Sequence, residues 1–170
     1  MRIPLLLLIG GCLLISACQP PLENSAVNPV NWEKRAIQLN HSDSLLQGSS
    51  YLSVYSQIYS ITEHRTHDLT ATISMRNANR QDSIFISKAE YYNTSGDLIR
   101  TYFQQPIFLK PMETVEIVID EKDKEGGTGA NFLFEWSIKP GLVEPIFEGV
   151  MISTLGSQGL SFTTEGLRIQ

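Results

Sequence analysis

Cysteine is nearly absent from this sequence. Cys12 and Cys18 are the only two among 170 residues, and both fall within the first eighteen. No pair is left to staple a folded domain, so stability has to come from packing. Long apolar runs are missing as well. The longest, residues 3–15, contains Pro4, Gly10 and Gly11 and falls short of the roughly 20 residues that span a bilayer. No block of Lys and Arg occurs, and the net charge is −5. Nucleic acid, which requires clustered basic side chains to displace counterions, is therefore excluded as a partner. Histidine is scarce, with three in all, which leaves little material for a His-based catalytic site. What remains is 42% hydrophobic and 18% charged, a composition that builds a core rather than a disordered acidic chain. The length suits one domain.

The first segment, "MRIPLLLLIGGCLLISAC", has a single basic residue, an apolar stretch and a small-residue end. It reads as an export signal, residues 1–17. Ile15-Ser16-Ala17-Cys18 looks like a bacterial lipobox, in which the cysteine receives diacylglycerol before cleavage. Ordinary signal cleavage after Ala17 would put bulky Ile15 where a small residue is wanted. Cys18 is thus the expected lipidation site and first mature residue, and the membrane is an expected partner through its acyl chains. Gln19 follows, where enteric-type bacteria use Asp to retain lipoproteins in the inner membrane. In a source with an outer membrane, its presence favours that membrane, facing the periplasm. Residues 18–50 are rich in Pro, Asn, Ser and Gln and read as a tether, with a short helix from Asn31 through Leu39 as an option.

From Tyr51 onward the hydrophobic period is two. In "DLTATISMRN", Leu69, Ala71, Ile73 and Met75 alternate with polar residues, the signature of a half-buried strand. Val115, Ile117 and Ile119 share one face of "ETVEIVID". Phe132, Phe134, Trp136 and Ile138 share one face of "NFLFEWSI". Further β-rich runs are "YLSVYSQIYS", "IFISKAEYY", "LIRTYF", "FEGVMIS" and "GLSFTT", separated by turn chemistry such as "NTSGD", "KPM" and "KPG". The expectation is an all-β, antiparallel, immunoglobulin-like β-sandwich over residues 51–170, with a closed barrel as the alternative.

Several constellations invite chemistry. "EKDKEGGTGANFLFEW" gathers Gly126, Gly127 and Gly129 behind a charged run. A phosphate loop needs GxxxxGK[ST] and a following helix; here the Lys-Ser/Thr pair is missing and a strand follows. Glu121, Asp123 and Glu125 take positions 1, 3 and 5 of a calcium-type loop, but Phe132 stands where the bidentate Glu belongs. These three are weak metal candidates beside the plainer reading of a solvated charged hairpin, and no cofactor is expected. His64 and His67 form an HxxH without a third ligand in view and read as a solvated loop. Ser157 in "LGSQG" departs from the G-x-S-x-G elbow. Tyr51, Tyr55 and Tyr59 recur at spacing four and would line one face of the first strand. They are the candidate partner surface, weighed against an ordinary sheet surface covered by the tether.

The segments "VYSQIYS", "TISMRN", "YYNTSGDLI", "PIFLKPMETVEIVI", "GGTGANFLFEW" and "VMISTLGSQGLSF" together resemble a bacterial family, Domain of Unknown Function 3124, from residue 48 to the C-terminus. The resemblance implies a single exported domain and brings no reaction, cofactor or catalytic residue. The expectation is a lipid-anchored, non-catalytic binding module with an envelope protein as its partner. The alternatives are an envelope hydrolase or metal-assisted enzyme, using the loops at 126–130 and 155–159, or a small-ligand or calcium binder.

Overall fold

A computed structural model describes residues 30–39, 44–154 and 159–170. The signal segment, Cys18, Gln19 and Ser157 lie outside the described residues. In chain order the strands are β1 (Leu46–Val54), β2 (Gln57–Ser60), β3 (Thr62–Asp68), β4 (Thr70–Arg76), β5 (Ile84–Tyr92), β6 (Leu98–Thr101), β7 (Ile107–Leu109), β8 (Thr114–Ile119), β9 (Ala130–Ile138), β10 (Ile146–Ser153), β11 (Leu160–Glu165) and β12 (Leu167–Arg168). One sheet runs β12-β1-β9-β5-β6, with β7 also paired to β5; the second runs β11-β10-β4-β8. The pairings among the described residues are antiparallel, and the two sheets face each other as the expected sandwich.

The period-two pattern becomes burial. Ala71, Ile73 and Met75 from β4, Val115, Ile117 and Ile119 from β8, and Phe132, Phe134, Trp136 and Ile138 from β9 all enter one core. Phe134 stacks on Phe147 of β10 with ring centroids 4.1 Å apart, which joins the two sheets directly. Phe132 stacks on Phe134 and Tyr91. Removing a ring of this kind costs about 3–5 kcal/mol, a large share of the roughly 5–15 kcal/mol that holds a domain together. In β5 the buried series Ile84, Ile86 slips to Ala89, Tyr91. A register shift between Ile86 and Lys88 absorbs the extra residue as a bulge.

Two boundaries differ from expectation. Strand β1 starts at Leu46, inside the stretch assigned to the tether. "LQGSS" lacks apolar alternation because Trp136 fills the space above it. Gly48 pairs with Trp136 across the ladder, and Ser50 accepts the indole N–H at 3.0 Å. Residues 31–39 do not form the optional helix. A three-residue 3-10 turn, Glu33–Arg35, is followed by extended chain docked on the sandwich. Ile37 N donates to Pro106 O at 2.8 Å, Ala36 bridges Ile107, and Trp32 packs on Phe103. Arg35 pairs with Glu113 at 2.8 Å.

Candidate functional site at the ribbon end of the sandwich

Strand β1 ends at Val54 opposite Ala130, and β4 begins at Thr70 opposite Ile152. The glycine loop before Ala130 and the strand ends Ser153 and Leu160 therefore gather at one end of the sandwich. From that end projects a two-stranded ribbon, β2 paired with β3. "YLSVYSQIYS", expected as one strand, is broken at Tyr55–Ser56 into β1 and β2, and "TEHRTHD", expected as a loop, is β3. The break follows from hydrogen bonding. Ser56 O takes the Leu69 N–H at 2.9 Å and Gln57 N donates to Gly127 O at 3.1 Å, so the chain leaves the first sheet at this point.

The glycine loop is already occupied by its own protein. Gly126 O accepts from Thr94 N and Thr94 Oγ1, at 3.1 and 3.0 Å. Gly129 N donates to Thr94 Oγ1 at 2.9 Å and Gly127 N to Lys124 O at 3.1 Å. Ser56 Oγ donates to Gly127 O at 3.1 Å. Two of the amides that a phosphate cradle would use, Gly127 N and Gly129 N, are thus spent on the loop itself and on Thr94 of the β5–β6 turn. The glycines serve fit. A Cβ on Gly126 would stand 1.9 Å from the Tyr91 hydroxyl, and Gly127 has φ +71.

The charged run is a clamp. Arg100 Nη2 donates to Asp123 Oδ2 and Glu125 Oε2, both at 3.0 Å. The guanidinium lies over the rings of Tyr91 and Tyr102, about 6 Å from each centroid. Burial alone would lower the Arg100 pKa, but bonds and charge from Tyr102 and Asp123 outweigh it and push it up. Lys124 pairs with Asp68 at the ribbon base at 2.7 Å, and Gln57 Nε2 donates to the same carboxylate at 2.7 Å. Partial burial raises the Asp68 pKa, yet Lys124 and Gln57 hold it below its ordinary value. Asp123 and Glu125 therefore face a guanidinium. Glu121 is not brought to them by any hydrogen bond; its Oε1 is buried without a partner. Among the described residues no group of three or more His, Cys, Asp or Glu is placed to hold a metal ion.

The remaining candidates scatter. His64 is exposed beside Glu63, 3.4 Å away, between Thr62 and Thr66 where the β2–β3 register shifts, whereas His67 pairs with Ile58. The three tyrosines do not share a strand face. Tyr51 is exposed on β1, Tyr55 packs half-buried against Phe162 at 5.7 Å, and Tyr59 stands on the ribbon at 61% exposure. Sequence reasoning passed over a residue two places beyond Tyr59. Ile61, at the ribbon tip, is 87% exposed and has φ +68. "SIT" carries none of the Gly, Asn or Asp that announces a left-handed turn, so no sequence signal marked it.

A model of the family described as "Protein of unknown function (DUF3124)" matches residues 47–169. The chain belongs to that family. The match begins one residue into β1 and runs through β12, so the DUF3124 domain is the whole sandwich with its ribbon. No curated protein matches this DUF3124 chain significantly. Among solved structures, one described as "Crystal Structure of Thermotoga maritima 1070" is similar at 9% identity. It covers 71% of this chain and 92% of its own, with a TM-score of 0.46, a likeness too loose to bear on function. Among the described residues, no helix is long and apolar enough to cross a membrane.

Proposed function

We propose that this chain is a lipid-anchored, non-catalytic binding module of the bacterial envelope, and that the β2–β3 ribbon is its contact element. The anchor is Cys18, on the strength of the Ile15–Cys18 lipobox. One observation carries the contact element. Ile61 is β-branched, almost fully exposed and in the left-handed backbone region. That conformation costs an L-residue roughly 1–2 kcal/mol, and glycine or asparagine would fill it more cheaply. The exposed side chain contributes almost nothing to the fold in return. A strained, apolar tip on a projecting ribbon is what a protruding anchor for another surface requires.

The partner is an envelope protein offering an apolar cleft. Arg65 is the ribbon's only permanent cation, and Glu63 and Asp68 outnumber it, which gives an anionic bilayer surface little to attract. The test places a photo-crosslinking amino acid at position 61 of the acylated full chain in its native cells. Met112 supplies the control position. It is also exposed and left-handed, with φ 58, but its N–H bonds to Asn79 at the opposite end of the sandwich. A discrete protein adduct from 61 and none from 112 supports the proposal. No adduct from 61, or the same adducts from both, overturns it.

A further inference from the structure

The docked segment 30–39 does more than cover an edge. Between its 3-10 turn and the link from β6 to β7 lies an open cavity of about 490 Å³, within the range of small-molecule sites. Trp32 and Tyr102, both half-buried, line it over the buried Phe103, with the Trp32 and Phe103 ring centroids 5.1 Å apart. Glu33, Gln104 and Gln105 complete its rim, and all three are exposed. The lining contains no Lys or Arg. Phosphate, carboxylate and other anions therefore find nothing to neutralise them. One carboxylate is too few for a divalent cation.

We propose that this cavity binds an uncharged saccharide, with a pyranose ring laid on Trp32, the Tyr102 ring being already stacked on Phe132 and covered by Arg100. Sugar rings present apolar C–H faces that pack on aromatic area and hydroxyls that need paired donors and acceptors. Gln104 and Gln105 each offer two N–H donors and a carbonyl acceptor, and Glu33 offers an acceptor. Aromatic area with a few convergent polar groups is the general make-up of a ligand site. The site exists only while the 30–39 segment stays docked, because Trp32 and Glu33 come from it. Arg35, through its pair with Glu113, is thus a positioning residue that never touches the sugar. The site is separate from the ribbon tip, so it stands or falls independently of the crosslinking result.

Tryptophan emission reads this directly. The chain has two tryptophans; Trp136 is 2% exposed in the core, and Trp32 lines the cavity. The full chain is titrated with an N-acetylglucosamine tetrasaccharide, and in parallel with maltotetraose. A saturable change in emission is expected with at least one of them at or below about 10 mM. The double substitution Gln104→Ala/Gln105→Ala should weaken it at least about tenfold with an unchanged melting temperature. Trp32→Ala removes the reporter, so its sugar binding is read by calorimetry and should be abolished, and Glu113→Gln should weaken the emission change at a distance. No saturable response to either sugar from the folded wild-type chain overturns the proposal. Undiminished binding by the double glutamine variant, read by calorimetry, does so too, even if Trp32→Ala fails to fold.

Discussion

Replacing Ile61 by asparagine should make the protein more stable and blind to its partner at once. The left-handed backbone costs an L-residue roughly 1–2 kcal/mol, and asparagine tolerates it better than any β-branched side chain. Ile61 is 87% exposed, so the burial lost is worth only a few tenths of a kcal/mol on the order of 25 cal/mol per Å². The net gain is about 1 kcal/mol, which for a domain of this size raises the melting temperature by about 3 °C. Glycine relieves the same strain but loosens the unfolded chain, so Ile61→Gly should gain less than Ile61→Asn. Met112→Asn provides the internal standard, since Met112 shares the backbone region without the β-branch. Thermal unfolding followed by circular dichroism ranks the variants. If Met112→Asn stabilises and Ile61→Asn does not, the tip is unstrained and the reason for assigning it a contact role is gone.

Gly126→Ala should destabilise by about 1–3 kcal/mol, because its Cβ would meet the Tyr91 hydroxyl at 1.9 Å, whereas Gly129→Ala meets only the Thr94 side chain, no nearer than 3.4 Å, and should be nearly neutral; urea midpoints separate the two. Glu113 is held below its ordinary pKa first by the Arg35 hydrogen bond and then, against some burial, by the Lys110 backbone N–H. Because the folded value is the lower one, this stabilisation is present above the unfolded value of about 4.3 and is lost as pH falls through the folded one. Glu113→Gln should therefore cost about 1–2 kcal/mol at pH 7 and progressively less toward pH 3, as measured by the difference in unfolding free energy. Calcium at about 5 mM should leave the melting temperature where a chelator leaves it, since Asp123 and Glu125 hold Arg100; a rise would mean that the carboxylates release it.

Where a strand has one dry face and one wet face, its sequence showed both. The inner residues of β4, β8 and β9 are those whose apolar side chains recur at period two. The start of β1 was hidden because Gly48 and Ser50 occupy the inner face beneath a ring contributed by Trp136, far along the chain. "NANRQDS" has the polar composition of a turn, yet Asn77 and Asn79 are buried. Asn77 donates to Asp82 O and Lys110 O, and Asn79 exchanges two bonds with Val143. Polar character says nothing of depth when the backbone supplies the partners. The glycine loop was legible as something other than a phosphate cradle. Its actual partners, Thr94 of the β5–β6 turn, Arg100 of β6 and Asp68 at the end of β3, were not, since all lie far from it along the chain. The ribbon tip was illegible for the opposite reason: Ile61 breaks the local rule that would have announced a turn.

The order β12-β1-β9-β5 also sets a timetable. Strand β1 is among the first pieces of the domain to be synthesised, but its ladder partners are β9 and β12, which follow only after β2 to β8 have been made. At roughly 5–20 residues per second, β1 waits several seconds with both edges unpaired. Its sequence suits the wait. "LQGSS" opens it with polar and small residues in place of a sticky apolar run. The ribbon and the pairs β5–β6 and β4–β8 can form earlier on a nascent chain, but the centre of the first sheet, β1-β9-β5, cannot close until β9 has emerged.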